Sequence, residues 1–438
     1  MAMAEARAAT GHRGRGPAPS WVLMQEDMLQ LIASRVLAGD LLDYVRFRAV
    51  CLPWRAATAC PRGQGLVNPL FHPRRWMMLP EGDGMHPGHP ALGGYGRFFN
   101  LDTAAFVRVR LPCFQDQDHI VLDCPDGLLL LQRKGDGAIC LHHPFTGDIA
   151  QFPPLASLIT QLDGAVGVAG VDARLLLRFD RFMDVSAAVS VRAGGTVTIM
   201  LAFIRLQRMA YVSTGDLQWT ATSWMIPGMW TAVPFRGSLY LVKGWNKRKP
   251  SLIMRVDPPE CSSSVLWSSA PAQTVATCPA EKMTKPYLVE CNSELLVVGY
   301  AKADRHSLVV FRLADLLLGA PTPAAPLASI GDHVLFIGKR NMTVKSKNIP
   351  VLRGNSVAII TASAADRLLQ YNLGRGAWSQ LCDGDLINGP APRPHSLVHH
   401  IVTCCHHAFW SSGHIWYVKS TEPWRRMTAG AYIKQYLL

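Results

Sequence analysis

The segment Ile330-Gly331-Asp332-His333-Val334-Leu335-Phe336-Ile337-Gly338 has the form of one buried β-strand between two turns. Gly331 and Asp332 are typical turn residues, and the run from His333 to Ile337 has about five residues, the usual strand length. The same form recurs along the chain, and we expect further strands at Gly127–Leu131, Ser238–Val242, Glu294–Val298, Ser356–Ile360 and His414–Val418.

Many short strands separated by turns are typical of an all-β sandwich, barrel or propeller. The stretch after Pro61 is too long for one sandwich. A four-stranded propeller blade needs roughly 40 to 50 residues, so about 360 residues correspond to seven or eight blades, and we predict about six to eight degenerate blades. A short helix and loop is expected over residues 315–330.

A weak repeat supports this interpretation, because Trp is followed by Ser or Thr at five positions: Trp219, Trp230, Trp267, Trp378 and Trp410. The spacing is irregular and no Trp-Asp dipeptide occurs, which argues against an ordinary WD-repeat propeller.

Residues 21–60 have a helical rather than a strand-like apolar period. Met28, Ile32 and Val36 are spaced by four, with Leu29 and Ala33 beside them, so they form one helix face. Gly39 is expected to end this helix and Asp40 to cap the next, which carries Leu42, Val45 and Ala49. Pro53 fits the first turn of a third helix, which Trp54 anchors. Three short helices bury little by themselves and need a partner or a neighbour.

We therefore divide the chain into four parts: a disordered tail over residues 1–18, a helical module over 19–60, a linker leading into the propeller over 61–96, and the propeller over 97–438.

The composition excludes a disordered chain, a collagen-like fibre and a coiled-coil rod, because 49% of the residues are hydrophobic and only 17% are charged. The net charge of +13 favours anionic partners or surfaces without deciding the function. No signal peptide or transmembrane segment is visible, so we expect a protein of the cytoplasm, the nucleus or both. The eleven cysteines are expected to be reduced and mostly buried.

The segment from Met24 to Thr58 resembles the F-box, whose pattern ends in Val-Cys-x-x-Trp-Arg and is matched here without gaps by Val50, Cys51, Trp54 and Arg55. At its start the family has Leu-Pro, where this chain has Met24 and Gln25. With Gln25 the chain lacks the family's Pro, whose fixed φ suits the first turn of a helix, and it also lacks part of the usual adaptor contact.

The remainder resembles the β-propeller of the plant F-box family called KIB-type. The matching phrases are Asp126–Leu131, His143-Pro144-Phe145-Thr146-Gly147 with His143 in place of the family's Asn, Phe152–Pro154, Gly215–Thr220, Phe235–Tyr240, Tyr287–Glu290, Glu294–Val298 and Ile330–Gly338. They follow the family's order over roughly residues 97–418.

The resemblance implies a non-catalytic substrate receptor of a cullin-based (SCF-type) ubiquitin ligase, without cofactor or metal. Its helical module would bind a Skp-type adaptor and through it cullin, and its propeller would bind an unknown protein for ubiquitin-dependent degradation. The implied adaptor-binding residues are Met24, Gln25, Met28, Leu29, Ile32, Val36, Leu42, Val50, Cys51 and Trp54. The alternative for this apolar face is that it packs against the propeller as a cap.

Two predicted loops supply candidate substrate-binding cations: Lys247, Arg248 and Lys249 in the first, and Lys339, Arg340, Lys345 and Lys347 in the second, which runs on to Arg353. They could meet an acidic partner surface. The simpler interpretation is a set of solvated edges that discourage strand pairing.

Other chemistry has little support. His399, His400, Cys404, Cys405, His406 and His407 are zinc-type ligands, but adjacent strand residues face opposite sides, so we favour a strand and loop with buried Cys. His142 and His143 are interpreted as a strand end. Asp116, Asp118 and Asp123 are interpreted as scattered acids rather than a catalytic pair, and no hydrolase or phosphate-loop motif occurs. Two rival functions stay open, namely a propeller scaffold without adaptor binding and a basic nucleic-acid or anionic-surface binder.

Overall fold

The computed structural model describes residues 24–79, 94–115, 118–162, 185–244, 250–260, 270–304, 306–318, 324–338, 340–360, 369–381, 389–390, 398, 401, 404–405 and 416–417. The chain forms two compact units, Met1–Pro61 and Arg62–Leu438. Within the described ranges, no helix is long and apolar enough to cross a membrane. The nine cysteines described are all free thiols, and six of them are buried.

The first unit contains three helices, α1 (Glu26–Gly39), α2 (Leu41–Arg48) and α3 (Leu52–Ala56). Their boundaries confirm the expected signals. The carboxylate of Asp40 accepts hydrogen bonds from the backbone N–H groups of Leu42 (2.8 Å) and Asp43 (3.1 Å), which caps α2. Pro53 lies in the first turn of α3, where its missing N–H leaves no gap in the hydrogen-bond ladder.

The predicted apolar faces of these helices are confirmed in part. On α1, Leu29 and Ala33 are buried as expected, whereas Ile32 and Val36 are partly buried and Met28 is exposed. On α2 they are Leu41, Tyr44 and Phe47 rather than Leu42, Val45 and Ala49. The Tyr44 hydroxyl donates to the carbonyl of Ala59 (2.8 Å), so the aromatic side chains are fixed from inside the unit.

The second unit is a six-bladed β-propeller. Its first three blades are β1 (Trp76–Leu79), β2 (Tyr95–Asn100) and β3 (Phe106–Arg110); β4 (His119–Asp123), β5 (Leu129–Arg133), β6 (Ile139–His142) and β7 (Ile149–Phe152); and β8 (Val185–Val191), β9 (Val197–Phe203), β10 (Arg208–Ser213) and β11 (Thr220–Ala221). The strand β1 lies within residues 61–96, the stretch that we assigned to the linker.

The last three blades are β12 (Met229–Phe235), β13 (Ser238–Lys243), β14 (Leu252–Val256) and β15 (Gln273–Thr277); β16 (Met283–Cys291), β17 (Glu294–Ala301) and β18 (Leu308–Arg312); and β19 (His333–Ile337), β20 (Met342–Lys345), β21 (Ser356–Ile359), β22 (Leu369–Asn372) and β23 (Ala377–Gln380). A short helix, α4 (Leu313–Leu316), follows β18, and β24 (Gly389–Pro390) pairs with β25 (Trp416–Tyr417). All six strands expected from the sequence are confirmed within three residues at each end, apart from positions outside the described ranges.

The continuous apolar runs have a simple cause, since middle strands of the blades are buried on both faces. In β9 every residue from Val197 to Phe203 is buried. Ile199 and Leu201 belong to a cluster shared with the second blade, whereas Met200 and Ala202 belong to a cluster shared with the fourth. Because successive side chains of a strand point to opposite faces, each blade packs between its two neighbours.

The last blade departs from simple antiparallel order. The strand β19 pairs in antiparallel fashion with β20 and in parallel with β21. The predicted loop from Lys339 to Arg353 was therefore wrong, since it contains β20 and a 3₁₀ turn at Ser346–Asn348. This strand links the last blade to the first, because the Lys345 N–H donates to the carbonyl of Leu101 (3.0 Å).

Candidate interaction surfaces

Five large apolar side chains are exposed on the helical unit, and we call them the apolar helical surface: Met28, Leu31, Val45, Val50 and Leu52. Their exposed fractions run from 41% for Val45 to 79% for Leu52. Single exposed apolar residues are ordinary on soluble proteins, but contiguous apolar surface marks an interaction site. Five such residues in a unit of three short helices make it a candidate interaction surface.

The structure separates the predicted adaptor-binding residues into three groups. Leu29 is only 2% exposed, so it cannot form part of a contact surface and its assignment is corrected. The others are accessible to different degrees: Gln25, Met28 and Val50 are exposed, and Met24, Ile32, Val36, Leu42, Cys51 and Trp54 are partly buried.

Trp54 is held within the unit by stacking on Phe47, with ring centroids 4.4 Å apart and planes inclined by 29°. The Thr58 hydroxyl donates to the Trp54 carbonyl (2.7 Å), which fixes the end of α3. Trp54 therefore offers only part of its ring to a partner, whereas a residue such as Leu52 offers nearly all of its side chain.

The sequence interpretation missed Leu31, Val45 and Leu52 as surface residues. A usable signal existed for Leu31, which lies three residues after Met28 and so shares its helix face. Leu52 begins a helix of five residues in which no residue is buried, and Trp54 is the residue of this helix that stacks on Phe47 inside the unit.

The basic substrate-binding candidates are distributed unevenly. Lys247, Arg248, Lys249 and Lys339 lie outside the described residues. Lys347 is exposed, whereas Lys345 forms an ion pair with Asp102 (3.3 Å), which also pairs with Arg75. The loop itself has no acid, but the fold supplies one from the β2–β3 turn of the first blade.

Arg340 connects blades rather than facing a partner, so its assignment as a substrate-binding residue is corrected. Its guanidinium lies 3.4 Å from the carboxylate of Asp123 and donates to the Cys124 carbonyl. Asp123 also accepts from the Ala187 N–H (2.7 Å). Asp123 thus connects the second blade to the third through Ala187 and to the last through Arg340. Burial raises the pKa of the Cys124 thiol, which is next to Asp123 in the chain, to about 12.

The Cys and His residues near the C-terminus do not form the predicted strand where they are described. Cys404 and Cys405 are helical and buried, which confirms the buried thiols, and burial raises the pKa of both. His399, His400, His406 and His407 lie outside the described residues. Within the described ranges, no three His, Cys, Asp or Glu side chains converge as a metal site requires.

The paired histidines are structural. His142 ends β6, as expected, and burial lowers its pKa to about 4, with neighbouring His143 and His119 adding to the shift. His143 lies 2.9 Å through Nε2 from the Phe71 carbonyl and accepts at Nδ1 from the N–H groups of Phe145 (3.2 Å) and Thr146 (3.1 Å). Imidazole thus caps the turn that follows β6.

The acids singled out in the sequence do not form a described catalytic pair. Asp116 lies outside the described residues, Asp118 is exposed, and both carboxylate oxygens of Asp123 are engaged by backbone N–H groups and by Arg340. Of the sequence-predicted features, the exposed apolar residues of the helical unit are the ones that the structure leaves accessible as a group.

Comparison with known proteins supports the propeller. The profile of the KIB1-4 β-propeller family matches residues 98–378. None of the curated proteins compared matches the chain. The chain is similar to one in the crystal structure of a nidogen–laminin complex, with 12% identity over 66% of this chain and 89% of that one and a TM-score of 0.27.

A second similar structure is GH43B of the Bacteroides ovatus xyloglucan PUL, with 12% identity over 58% of this chain and 48% of that one and a TM-score of 0.20. Similarities at this level carry no argument about function. The family match extends over more than half of the chain and contains the described strands from β3 to β22. The chain belongs to the KIB1-4 β-propeller family.

Proposed function

We propose that this protein is the substrate-recognition subunit of an SCF-type (Skp–cullin–F-box) ubiquitin ligase, as in the plant F-box proteins that the sequence resembles. Helices α1–α3 are the F-box and the propeller holds the target protein. The observation that carries the proposal is the apolar helical surface, located in the segment that ends Val50-Cys51-x-x-Trp54-Arg55.

The energetics of docking favour a partner for this surface. Burying a Leu, Val or Met side chain fully contributes roughly 1.5–3 kcal/mol, and association costs roughly 4–15 kcal/mol of lost freedom. Several of these side chains must therefore be covered together by one partner. Leu52 and Met28 are the strongest candidates for anchors, because they expose the largest apolar fractions in the unit.

The propeller suggests a protein-interaction scaffold, and in this proposal it binds the target without catalysing a reaction or needing a cofactor. A ligase subunit of this kind acts by proximity. Holding the target raises the effective concentration of its Lys side chains near the conjugating enzyme. The protein would act in the cytoplasm, the nucleus or both, where the other ligase subunits and reducing conditions for its free thiols are found.

The test is co-purification of the full-length protein with a Skp-type adaptor. We expect a stoichiometric complex that Leu52→Asp or Met28→Asp weakens by about 30-fold or more, the loss typical of a hot-spot residue. The matched control is Leu217→Asp, which places the same charge at a propeller residue that is 94% exposed and should leave adaptor binding unchanged.

A truncated chain that begins at Arg62 should bind no adaptor. If neither the full-length protein nor any variant binds an adaptor, the ligase role is wrong and the chain is a free-standing propeller scaffold. Equal losses from Leu52→Asp and Leu217→Asp would also contradict the proposal, because they would reflect a general effect of the added charge.

A further inference from the structure

In the part of the chain that the structure describes, the outer edge of the first blade is unpaired. In this blade β3 pairs with β2 on one side only, in antiparallel register with Tyr95 opposite Arg110. The Asn100 N–H donates to the Ala105 carbonyl (2.9 Å) and the Leu111 N–H to the Gly94 carbonyl (2.7 Å). Antiparallel hydrogen bonding alternates, so the N–H and C=O groups of Phe106, Arg108 and Arg110 point away from β2.

Two other blades show how this chain covers an outer edge. Along β15, Leu317 forms a β-bridge with Ala276, and the Leu318 N–H donates to the Val275 carbonyl (2.9 Å). Along β18, the Leu327 N–H donates to the Val310 carbonyl (2.7 Å). The segment after β18 thus covers both edges, whereas no described segment pairs with the outer edge of β3.

The side chains on this open edge are basic and aromatic. Phe106, Arg108 and Arg110 share one face of β3 and are all exposed, and Arg97 lies opposite Arg108 on β2. In the part of the chain that the structure describes, no carboxylate lies within 4.0 Å of the guanidinium of Arg108 or Arg110. Both therefore remain available to an acidic partner.

We propose that β3 binds an extended acidic segment of a partner protein, which adds to the first blade as a fourth strand. The partner's backbone would pair with Phe106, Arg108 and Arg110, and carboxylates at alternate positions would lie beside the two guanidiniums. Nucleic acid fits this edge less well. The edge of β3 presents both N–H and C=O groups, and the sugar-phosphate backbone has no N–H donors for the C=O groups. The proposal does not depend on the role of the helical unit.

The competing interpretation is that the two arginines only protect the edge, since charged side chains on edge strands discourage aggregation. The two interpretations predict different results for the same substitution. Replacing both arginines by Ser would abolish binding of an acidic strand in one case. In the other it would promote self-association of the protein and leave such binding unchanged.

The experiment measures binding of synthetic peptides to the full-length protein by fluorescence anisotropy. The probes are an acetylated, amidated peptide of four Glu-Val repeats, its Lys-Val counterpart and a single-stranded DNA oligonucleotide. We expect binding of the Glu-Val peptide, a loss of about tenfold in the double variant Arg108→Glu and Arg110→Glu, and a gain of Lys-Val binding by that variant. Arg353→Glu with Arg375→Glu is the control, because both residues are exposed on the last blade and the change in charge is the same.

Residue-resolved hydrogen exchange identifies the binding mode. On adding the Glu-Val peptide, the amides of Phe106, Arg108 and Arg110 should become protected, while those of Val107 and Val109 stay as they were. The proposal is overturned if the control pair loses as much binding as the edge variant, or if the DNA oligonucleotide alone binds the edge. It is also overturned if the Arg-to-Ser variant aggregates but binds the acidic peptide as before.

Discussion

In the helical unit, five of the side chains in residues 24–56 are large, apolar and between 41% and 79% exposed, whereas in the propeller Phe98, Phe99, Trp219, Phe311 and Phe336 are completely buried. The propeller also exposes apolar residues, but they are spread over more than 200 described residues. The difference follows size, because a propeller blade packs on both of its faces, whereas a unit of three short helices has little interior in which to bury apolar side chains. Exposed apolar side chains are therefore concentrated in the helical unit.

The largest effect is expected in the propeller core. Trp219 is completely buried and its indole N–H donates to the Pro153 carbonyl (2.7 Å), which joins the third blade to the second. Trp219→Ala should lower the free energy of unfolding of the propeller by about 3–5 kcal/mol. Urea denaturation followed by circular dichroism measures it. The matched control, Trp378→Ala on β23, should cost only about 1–2 kcal/mol, because Trp378 is 37% exposed; equal losses would contradict this account.

The helical unit contains two leucines of opposite exposure. Leu29→Ala should destabilise the unit by about 2–5 kcal/mol, because Leu29 is buried. Leu52→Ala should change its stability by no more than about 0.5 kcal/mol. Hydrogen exchange over peptides from residues 26–56 reports on this unit separately from the propeller. A large loss from Leu52→Ala would mean that the apolar helical surface supports the fold.

The pH dependence of the propeller should follow from its buried histidines. Since burial lowers the pKa of His142 from 6.5 to about 4, the unfolded chain takes up a proton at higher pH than the folded one. Stability from this group is complete above about pH 6.5 and falls as the pH drops towards 4, by about 2 kcal/mol at pH 5. His143, whose pKa burial also lowers, adds to the trend.

Urea denaturation at pH 7.5 and pH 5.0 tests this expectation. His142→Gln should reduce the difference between the two pH values, whereas His306→Gln should keep it, because His306 is exposed. An unchanged difference in His142→Gln would show that other groups cause the acid sensitivity.

The smallest expected effect concerns the residue that departs from the F-box pattern. Gln25 has a φ of −60° and makes no side-chain cap on α1, so proline fits its backbone. Gln25→Pro should raise the stability of the helical unit by about 0.4–1 kcal/mol, since it restricts the unfolded chain. Hydrogen exchange measures the change. Gln30→Pro, in the interior of α1, is the opposing control and should break the helix. Similar losses of stability from both substitutions would mean that the backbone at Gln25 does not accept proline.

Much of the fold could be predicted because its signals are local. The capping of α2 by Asp40, the place of Pro53 and the strand His333–Ile337 each depend on a few neighbouring residues. The predicted propeller with six to eight blades has six. The helix faces were predicted less well, because on short helices with apolar residues all round the period does not say which row faces inward.

The candidate surfaces were predicted only in part. The apolar helical surface includes Met28 and Val50 as expected, but Leu29 is buried and Leu52 was missed. Arg340 was grouped with exposed cations because the sequence around it has no acid. Its partner, Asp123, comes from a different blade.

The sequence was sufficient for the three helices with their caps and turns, and for strands that are short apolar runs between turn residues, such as His333–Ile337. These features follow from the conformational preferences of residues close together in the chain. Tertiary structure alone decided which blade edges are covered, that β21 lies parallel to β19, and that Arg340 pairs with Asp123. Those choices bring together residues far apart in sequence, and no local preference specifies them.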